Sequence, residues 1–201
     1  MRRAFLFGKM FVPVLLISRP RFEDDRGWFS ETYHRARFVE AGVPDDFCQD
    51  NHSVSRPAGT IRGLHFQAPP HAQAKLVRCV RGSIWDVAVD IRKGSPTFGQ
   101  WQAAELSAAN GDQLYVPTGF AHGFVTLEPD TEVIYKVSAF YAPESDAGIS
   151  WDDPDIALRW PLPASGPVLS GKDAALPRLR DIASPFDYDG RPMLPLAGQG
   201  V

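Results

Sequence analysis

From residue 59 to 140 the chain breaks into short apolar or alternating runs separated by turn residues. Trp85, Val87, Val89 and Ile91 alternate with Asp86, Ala88 and Asp90, a period of two that marks a strand with one apolar and one partly polar face. Gly82, Gly94-Ser95-Pro96 and Asn110-Gly111-Asp112 stand at turn positions, and residues 113–116, 123–127 and 132–140 continue the series. So many short strands predict a mainly β fold, a sandwich or a closed barrel. Upstream, residues 14–17 read as a strand and Asp24-Asp25-Arg26-Gly27 as a turn, followed by the β-type residues Trp28, Phe29 and Tyr33. Residues 33–41 form the best short helix, with Phe38 and Ala41 facing inward and Gly42 as its C-cap. No βαβ rhythm or Gly-rich phosphate loop occurs, which sets aside Rossmann and P-loop folds. After residue 142 the periodicity fades, and Trp151, Trp160 and four prolines between 154 and 167 predict a short helix and loops over the barrel. The tail beyond about residue 183, rich in Pro, Gly and Asp, is expected to be partly disordered.

A chain of 201 residues suits a single domain (1–201), with its core at about 12–180, an extension at 1–11 and a tail at 183–201. With 44% hydrophobic and 22% charged residues it has the make-up of a soluble globular protein. Lys and Arg number 21 against 24 Asp and Glu, a net charge of −3, so no overall basic field invites nucleic acid. An anionic ligand must therefore meet a local cluster of Arg and Lys. Cys48 and Cys79 read as two reduced core thiols of a cytoplasmic protein. Arg2 and Arg3 precede a short apolar run, but Lys9 interrupts it, Pro13 follows and no cleavage site is evident, so export is not expected. Nothing approaches the ~20 apolar residues of a membrane span. Met10 offers an alternative start.

Two histidines carry the chemical signal. Gly111-x5-Pro117-x-Gly119-x2-His122 resembles the second cupin motif, in which a turn and strand aim a histidine into the barrel. Gly63-Leu64-His65-Phe66-Gln67 is the counterpart of the first, which normally supplies His-x-His and a later Glu as metal ligands. Here Gln67 stands where the second His would be, and no Glu occurs between Gln67 and Trp101. Two histidines without the remaining ligands make a poor zinc or iron site, so no metal is expected. A single histidine on an inward strand is more often a hydrogen-bonded core residue than a catalyst. Arg62, three residues before His65, and Lys75, ten after it, shift that balance, because a cavity holding these cations is costly unless an anion occupies it.

Further segments extend the pattern: Asp25-Arg26-Gly27 with Glu31, Gln49-Asp50-Asn51-His52-Ser53, Gln73-Ala74-Lys75-Leu76-Val77, Tyr135-Lys136, Tyr141-x-Pro143-Glu144, Trp151-Asp152-Asp153-Pro154 and Leu169-Ser170-x-Lys172-Asp173. With the two histidine motifs they resemble, in order and over residues 12 to about 180, the dTDP-4-dehydrorhamnose 3,5-epimerase family, which acts on a nucleotide-linked 4-keto-6-deoxy sugar. The resemblance implies a cupin-type jelly-roll β-barrel with a few short peripheral helices. It also implies a cytoplasmic homodimer that needs no cofactor, takes a dTDP-linked sugar as its small-molecule partner, and engages neither nucleic acid nor membrane. Carried over residue by residue, it makes His65 the base, Asp173 its orienting carboxylate, Tyr135 the acid on the opposite face and Lys75 the cation at the C4 oxygen. Arg26, Glu31, Gln49, Asp50, Asn51, Arg62, His122, Asp146 and Lys172 match substrate contacts, and Tyr141 the ring that stacks on thymine. The family often has Glu at the position of Asp146.

The chemistry fits those roles. Hydrogens at C3 and C5 are both α to the C4 ketone, and removing either gives an enolate whose charge falls on the ketone oxygen. The reaction needs a base with a pKa near the working pH, a positive charge or donor at that oxygen, and an acid on the other face. Blander readings remain: Tyr135 and Tyr141 as strand packing, Asp173 as a helix cap, Lys172 and Arg26 as surface charges. Rival functions are an epimerase acting at one carbon or a ketoisomerase, a metal-dependent cupin oxygenase, and a sugar-binding cupin without catalysis.

Overall fold

The computed structural model describes residues 14–196 and 198–200; the expected extension at 1–11 lies outside them. In chain order the elements are β1 (Leu15–Ser18), β2 (Phe22–Asp24), β3 (Gly27–Phe29), α1 (Arg35–Glu40), β4 (Gln49–Ser55), β5 (Ile61–Gln67), β6 (Lys75–Arg81) and β7 (Ser83–Asp90). Then follow β8 (Trp101–Ser107), β9 (Gln113–Val116), β10 (Phe120–Thr126), β11 (Thr131–Val137), β12 (Asp146–Gly148), α2 (Gly171–Ala174) and β13 (Gly198–Gly200). A six-stranded sheet, β13-β1-β9-β6-β11-β4, faces a five-stranded one, β12-β5-β10-β7-β8. The expected jelly-roll barrel is the observed architecture, with two short α-helices at its margin among the described residues. No helix among the described residues is long and apolar enough to cross a membrane.

Three apolar layers hold the sheets. Val77, Leu114 and Val133 of the larger sheet meet Ile84, Ala88, Leu106, Phe120 and Phe124 of the smaller one inside the barrel. Outside the smaller sheet, Val87 and Val89 lie under Ile149, Ile156 and Leu179, with Trp85 edge-on to Trp101 and Trp160. Strand β7 thus buries both faces, and the partly polar side read from its alternation is the barrel interior. Outside the larger sheet, Ile17, Leu76 and Tyr115 are covered by Phe38 and Val43. The helix carrying Phe38 begins at Arg35 rather than 33, and Tyr33 packs beside it with its ring 5.0 Å from Phe38. Ala41 is the C-cap and only half-buried. Gly42, at φ +99°, ends the helix by donating to Val39 O, and Val43 donates to Phe38 O, the paired bonds of a Schellman stop.

Strand β4, QDNHSVS, escaped the period-two reading because its inward residues are polar. The tail also differs from expectation. Lys93 exchanges backbone bonds with Phe186 and Tyr188, Asp189 pairs with Arg92 at 3.2 Å, and Met193 and Leu196 pack against the interior cluster. Polar composition suggested disorder; a few apolar residues spaced among the prolines suffice to dock the segment.

One irregularity matters most for function. On β5 and β10 His65 is the Cα partner of His122, while Arg62 partners Phe124. Between these pairs, Gly63 and Leu64 of β5 face the single Gly123 of β10, so β5 carries a one-residue bulge. Residues three apart on a regular strand face opposite sides; the bulge brings Arg62 and His65 to the same cavity. Gly63 sits in it at φ +117°, and a Cβ there would come within 2.6 Å of His122 O and 2.7 Å of Gly123 Cα. Gly63→Ala is therefore expected to cost about 2 kcal/mol or more, read as a lowered midpoint in denaturant unfolding; an unchanged midpoint would show that β10 can give way at this point.

Candidate active site

Two adjoining hollows of about 340 Å³ and 250 Å³ share His65, Lys75, Tyr135 and Lys172 in their walls. Each side chain arrives from a different element. His65 points inward from β5 because Leu64 and Phe66 on either side belong to the outer apolar layer. Tyr135 pairs with Asn51 of β4 and Val77 of β6, and all three project inward. Asp173 lies on α2, whose N-cap Ser170 accepts from the Asp173 backbone N–H at 3.0 Å. Ser170, not Asp173, is the cap; the Asp173 carboxylate is left for His65.

His65 Nε2 and Asp173 Oδ1 are 2.5 Å apart, with the carboxylate 6% exposed and the imidazole 28% exposed. Burial pushes Asp173 up, but the His65 hydrogen bond and charge, Ser170 and Lys172 together hold it below the usual carboxylate range. An ionised carboxylate accepts only, so the His65 proton resides on Nε2 and Nδ1 is the basic nitrogen. Lys75 Nζ reaches the His65 carbonyl at 3.5 Å. Burial drives its pKa down to about 8, against the pull of Asp146 and Asp86 and with the push of Lys172. Burial also raises Tyr135, opposed by Arg62.

The expected contacts divide. Gln49, Asn51, Tyr141, Asp146 and Lys172 line the larger hollow, and Arg62, His122 and Lys172 the smaller. Gln49 donates to Asn51 Oδ1 at 2.9 Å, and Arg62 donates to Ser55 Oγ at 3.1 Å and Val54 O at 3.0 Å. Asp146 Oδ2 accepts from Tyr141 OH at 3.1 Å and pairs with Lys172. His122 Nε2 meets Asp86 Oδ1 at 2.6 Å, while Asp86 Oδ2 is buried without a hydrogen-bond partner. Burial holds Asp86 above its ordinary value, against the attraction of His122 and Lys75.

Three residues lie elsewhere. Asp50 alternates with Gln49 and Asn51, so it falls on the outer face and pairs with Lys136 at 2.8 Å. Arg26 is held by Asp24 in the exposed β2–β3 turn. Glu31 is engaged by Arg19 and Arg37, each at 2.9 Å. Within one chain neither Arg26 nor Glu31 lines the hollows. Ser53, Gln73, Phe124 and Ser170 line them without having been singled out as contacts; for Ser53 the signal was available, two residues beyond Asn51 on an alternating strand.

Gln67, in the place of a metal-binding histidine, has its amide committed to backbone, donating to His71 O at 2.7 Å and Phe140 O at 3.2 Å and accepting from Ala142 N–H at 2.9 Å. Among the described residues no group of three or more His, Cys, Asp and Glu side chains is placed to hold a metal ion. The arrangement presents an oriented imidazole, a half-buried ammonium and a half-buried phenol to one space, the groups needed to take a proton from carbon, hold an oxyanion and return a proton.

A family model described as dTDP-4-dehydrorhamnose 3,5-epimerase matches residues 11–181. A curated dTDP-4-dehydrorhamnose 3,5-epimerase of Sinorhizobium fredii is 50% identical over 183 residues, 90% of this chain and 93% of that protein. The crystal structure of a Bacillus anthracis dTDP-4-dehydrorhamnose 3,5-epimerase with TDP and PPi bound superposes with a TM-score of 0.78 at 51% identity, covering 81% of this chain and 92% of the other. A Legionella pneumophila dTDP-6-deoxy-D-glucose-3,5-epimerase in complex with dTDP-4-keto-L-rhamnose gives 0.83 at 43% identity, covering 87% and 93%.

The state of Lys75 predicts a pH dependence. The folded chain gives up this proton near pH 8 and an ordinary lysine near 10.5. Between those values the unfolded state holds more protons, so this residue makes stability rise with pH across the window. Urea unfolding of the wild type and Lys75→Met from pH 7.5 to 10.5 should show the wild type gaining relative to the variant; parallel curves would place the Lys75 pKa near its ordinary value.

Proposed function

Since the chain belongs to the dTDP-4-dehydrorhamnose 3,5-epimerase family, we propose that it converts dTDP-4-dehydro-6-deoxy-D-glucose to dTDP-4-dehydro-L-rhamnose, inverting C3 and C5 in turn. The observation that carries the mechanism is the His65–Asp173 pair opening on the same space as Lys75 and Tyr135. His65 Nδ1 takes the proton from the carbon next to the ketone, and the imidazolium that forms is stabilised by the ionised Asp173. Charge moves onto the C4 oxygen, where the Lys75 ammonium meets it. A cation that burial disfavours gains most from an anion arriving beside it, so the enolate is held more tightly than the neutral ketone. Tyr135 returns a proton to the opposite face. The ketone already present in the substrate acidifies both carbons.

Arg62, Lys172 and His122 supply donors for the diphosphate, and Gln49 and Asn51 for the sugar and nucleoside. Tyr141, 56% exposed at the rim, is the platform for the base. Arg26 and Glu31 join the site only if the β2–β3 hairpin of a second copy lies over the cavity. Phe22, Trp28 and Phe29 on that hairpin are 61%, 54% and 68% exposed, an apolar surface suited to such a partner. The active unit is accordingly a homodimer. Its place is the cytoplasm, where nucleotide-sugar chemistry and two unpaired thiols are compatible.

Incubation with the 4-keto-6-deoxyglucose nucleotide in deuterated water, followed by NMR of the sugar, is expected to show deuterium at both C3 and C5. Label at one carbon alone would replace the two-carbon reading with the single-carbon one. His65→Ala should abolish exchange while retaining dTDP binding, and Tyr135→Phe should slow epimerisation more than exchange. Turnover by His65→Ala near the wild-type rate would remove the histidine base. Light scattering should give twice the 22.2 kDa chain mass, and Trp28→Asp should yield monomers of low activity; a fully active monomer would sink the shared site.

A further inference from the structure

The segment that carries Tyr141 buries Ala142 but leaves its two aromatic side chains outside. Phe140 and Tyr141 are 69% and 56% exposed. Its ends are fixed by ordinary backbone bonds: Ser138 N–H donates to Ala74 O at 3.1 Å, and β12 pairs with β5 from Asp146 onward. Between these anchors, four consecutive residues are each tied by a glutamine side chain. Ala139 O accepts from Gln73 Nε2 at 2.7 Å, and Phe140 O from Gln67 Nε2 at 3.2 Å. Tyr141 N–H donates to Gln49 Oε1 at 3.1 Å, and Ala142 N–H to Gln67 Oε1 at 2.9 Å. Gln67 also donates to His71 O at 2.7 Å, joining the two loops that frame the larger hollow. The carbonyls can only accept and the amide N–H can only donate, so the side-chain amide of Gln67 has one workable orientation. It is 4% exposed, and a buried amide loses these bonds only at substantial cost.

We propose that Gln67 and Gln73 are positioning residues for the Tyr141 ring. From inside the barrel they fix the backbone that presents this ring to the nucleotide base, so their worth lies in nucleotide affinity rather than in proton transfer. This rests on the reading of Tyr141 as the base platform. Gln67 occupies the position from which a metal-dependent barrel of this kind would offer a ligand; here the same inward direction serves to fasten a binding loop. A ring that is held in place before binding pays less ordering entropy when the base arrives.

The test is a double-mutant cycle read by dTDP titration calorimetry and by steady-state kinetics. Gln67→Met keeps the volume and removes the three bonds. It is expected to weaken dTDP binding roughly 5- to 20-fold, within the range a disturbed base stack spans, and to raise KM in parallel, with kcat within about twofold. In a Tyr141→Ala background the same change should weaken binding less than about twofold, because the ring it positions is gone. Gln73→Met, which removes a single bond, should follow the same pattern at smaller amplitude and decides the matter if Gln67→Met does not fold. Equal losses with and without the Tyr141 ring would overturn the proposal, as would a fall in kcat at unchanged dTDP affinity. Failure of the wild type to bind dTDP would overturn the platform reading itself, a result distinct from additive losses in a chain that binds.

Discussion

The bulge between β5 and β10 is the constraint from which the cavity follows. It allows Arg62 and His65 to share a face, and it sets His65 directly opposite His122. Each histidine then meets a carboxylate from a third element, Asp173 from α2 and Asp86 from β7. The two pairs look alike in distance but differ in electrostatic outcome. Burial raises both carboxyl groups; Asp173 ends below its usual range because His65, Ser170 and Lys172 all favour its charge, whereas for Asp86 burial outweighs the attraction of His122 and Lys75 and the carboxyl ends above. A firmly ionised carboxylate at the mouth of the site can stabilise an imidazolium that forms during reaction. In the deeper pair burial disfavours charge on the Asp86 carboxyl.

The same economy governs the cations. Lys75 reaches the His65 carbonyl by a long contact of 3.5 Å while burial opposes its charge, an arrangement that is costly until an anion lies beside it. In the proposed mechanism an enolate formed beside it offsets that cost, which is the electrostatic sense in which the barrel would be preorganised. Lys172, by contrast, is neutralised at the rim by Asp146, which also takes the Tyr141 hydroxyl. At the rim these bonds hold Asp146, Lys172 and Tyr141 together.

Much of this was legible in the chain, for identifiable reasons. The inward histidines, the missing second ligand at Gln67 and the strand series after residue 59 are local patterns, and local patterns survive in a sequence. Where the reading missed, a local rule was overridden. β4 carries polar residues toward the cavity and so lacks apolar alternation. Asp50 lies inside a matching segment, yet a strand sends every second side chain outward. The tail looked too polar to order, but Met193 and Leu196 find the interior cluster.

The sequence by itself determined the alternation of the strands, the residues able to do acid–base chemistry and the family they belong to, because these depend on residue type and spacing. Only the tertiary structure decided which of them meet. The pairing of His65 with Asp173 spans 108 residues, the shared face of Arg62 and His65 needs a bulge, and the glutamines that hold the Tyr141 segment come from β4 and from the two sides of the β5–β6 connection, both far from it in sequence. Contacts of that kind are set by register and packing between distant segments, which no local spacing encodes.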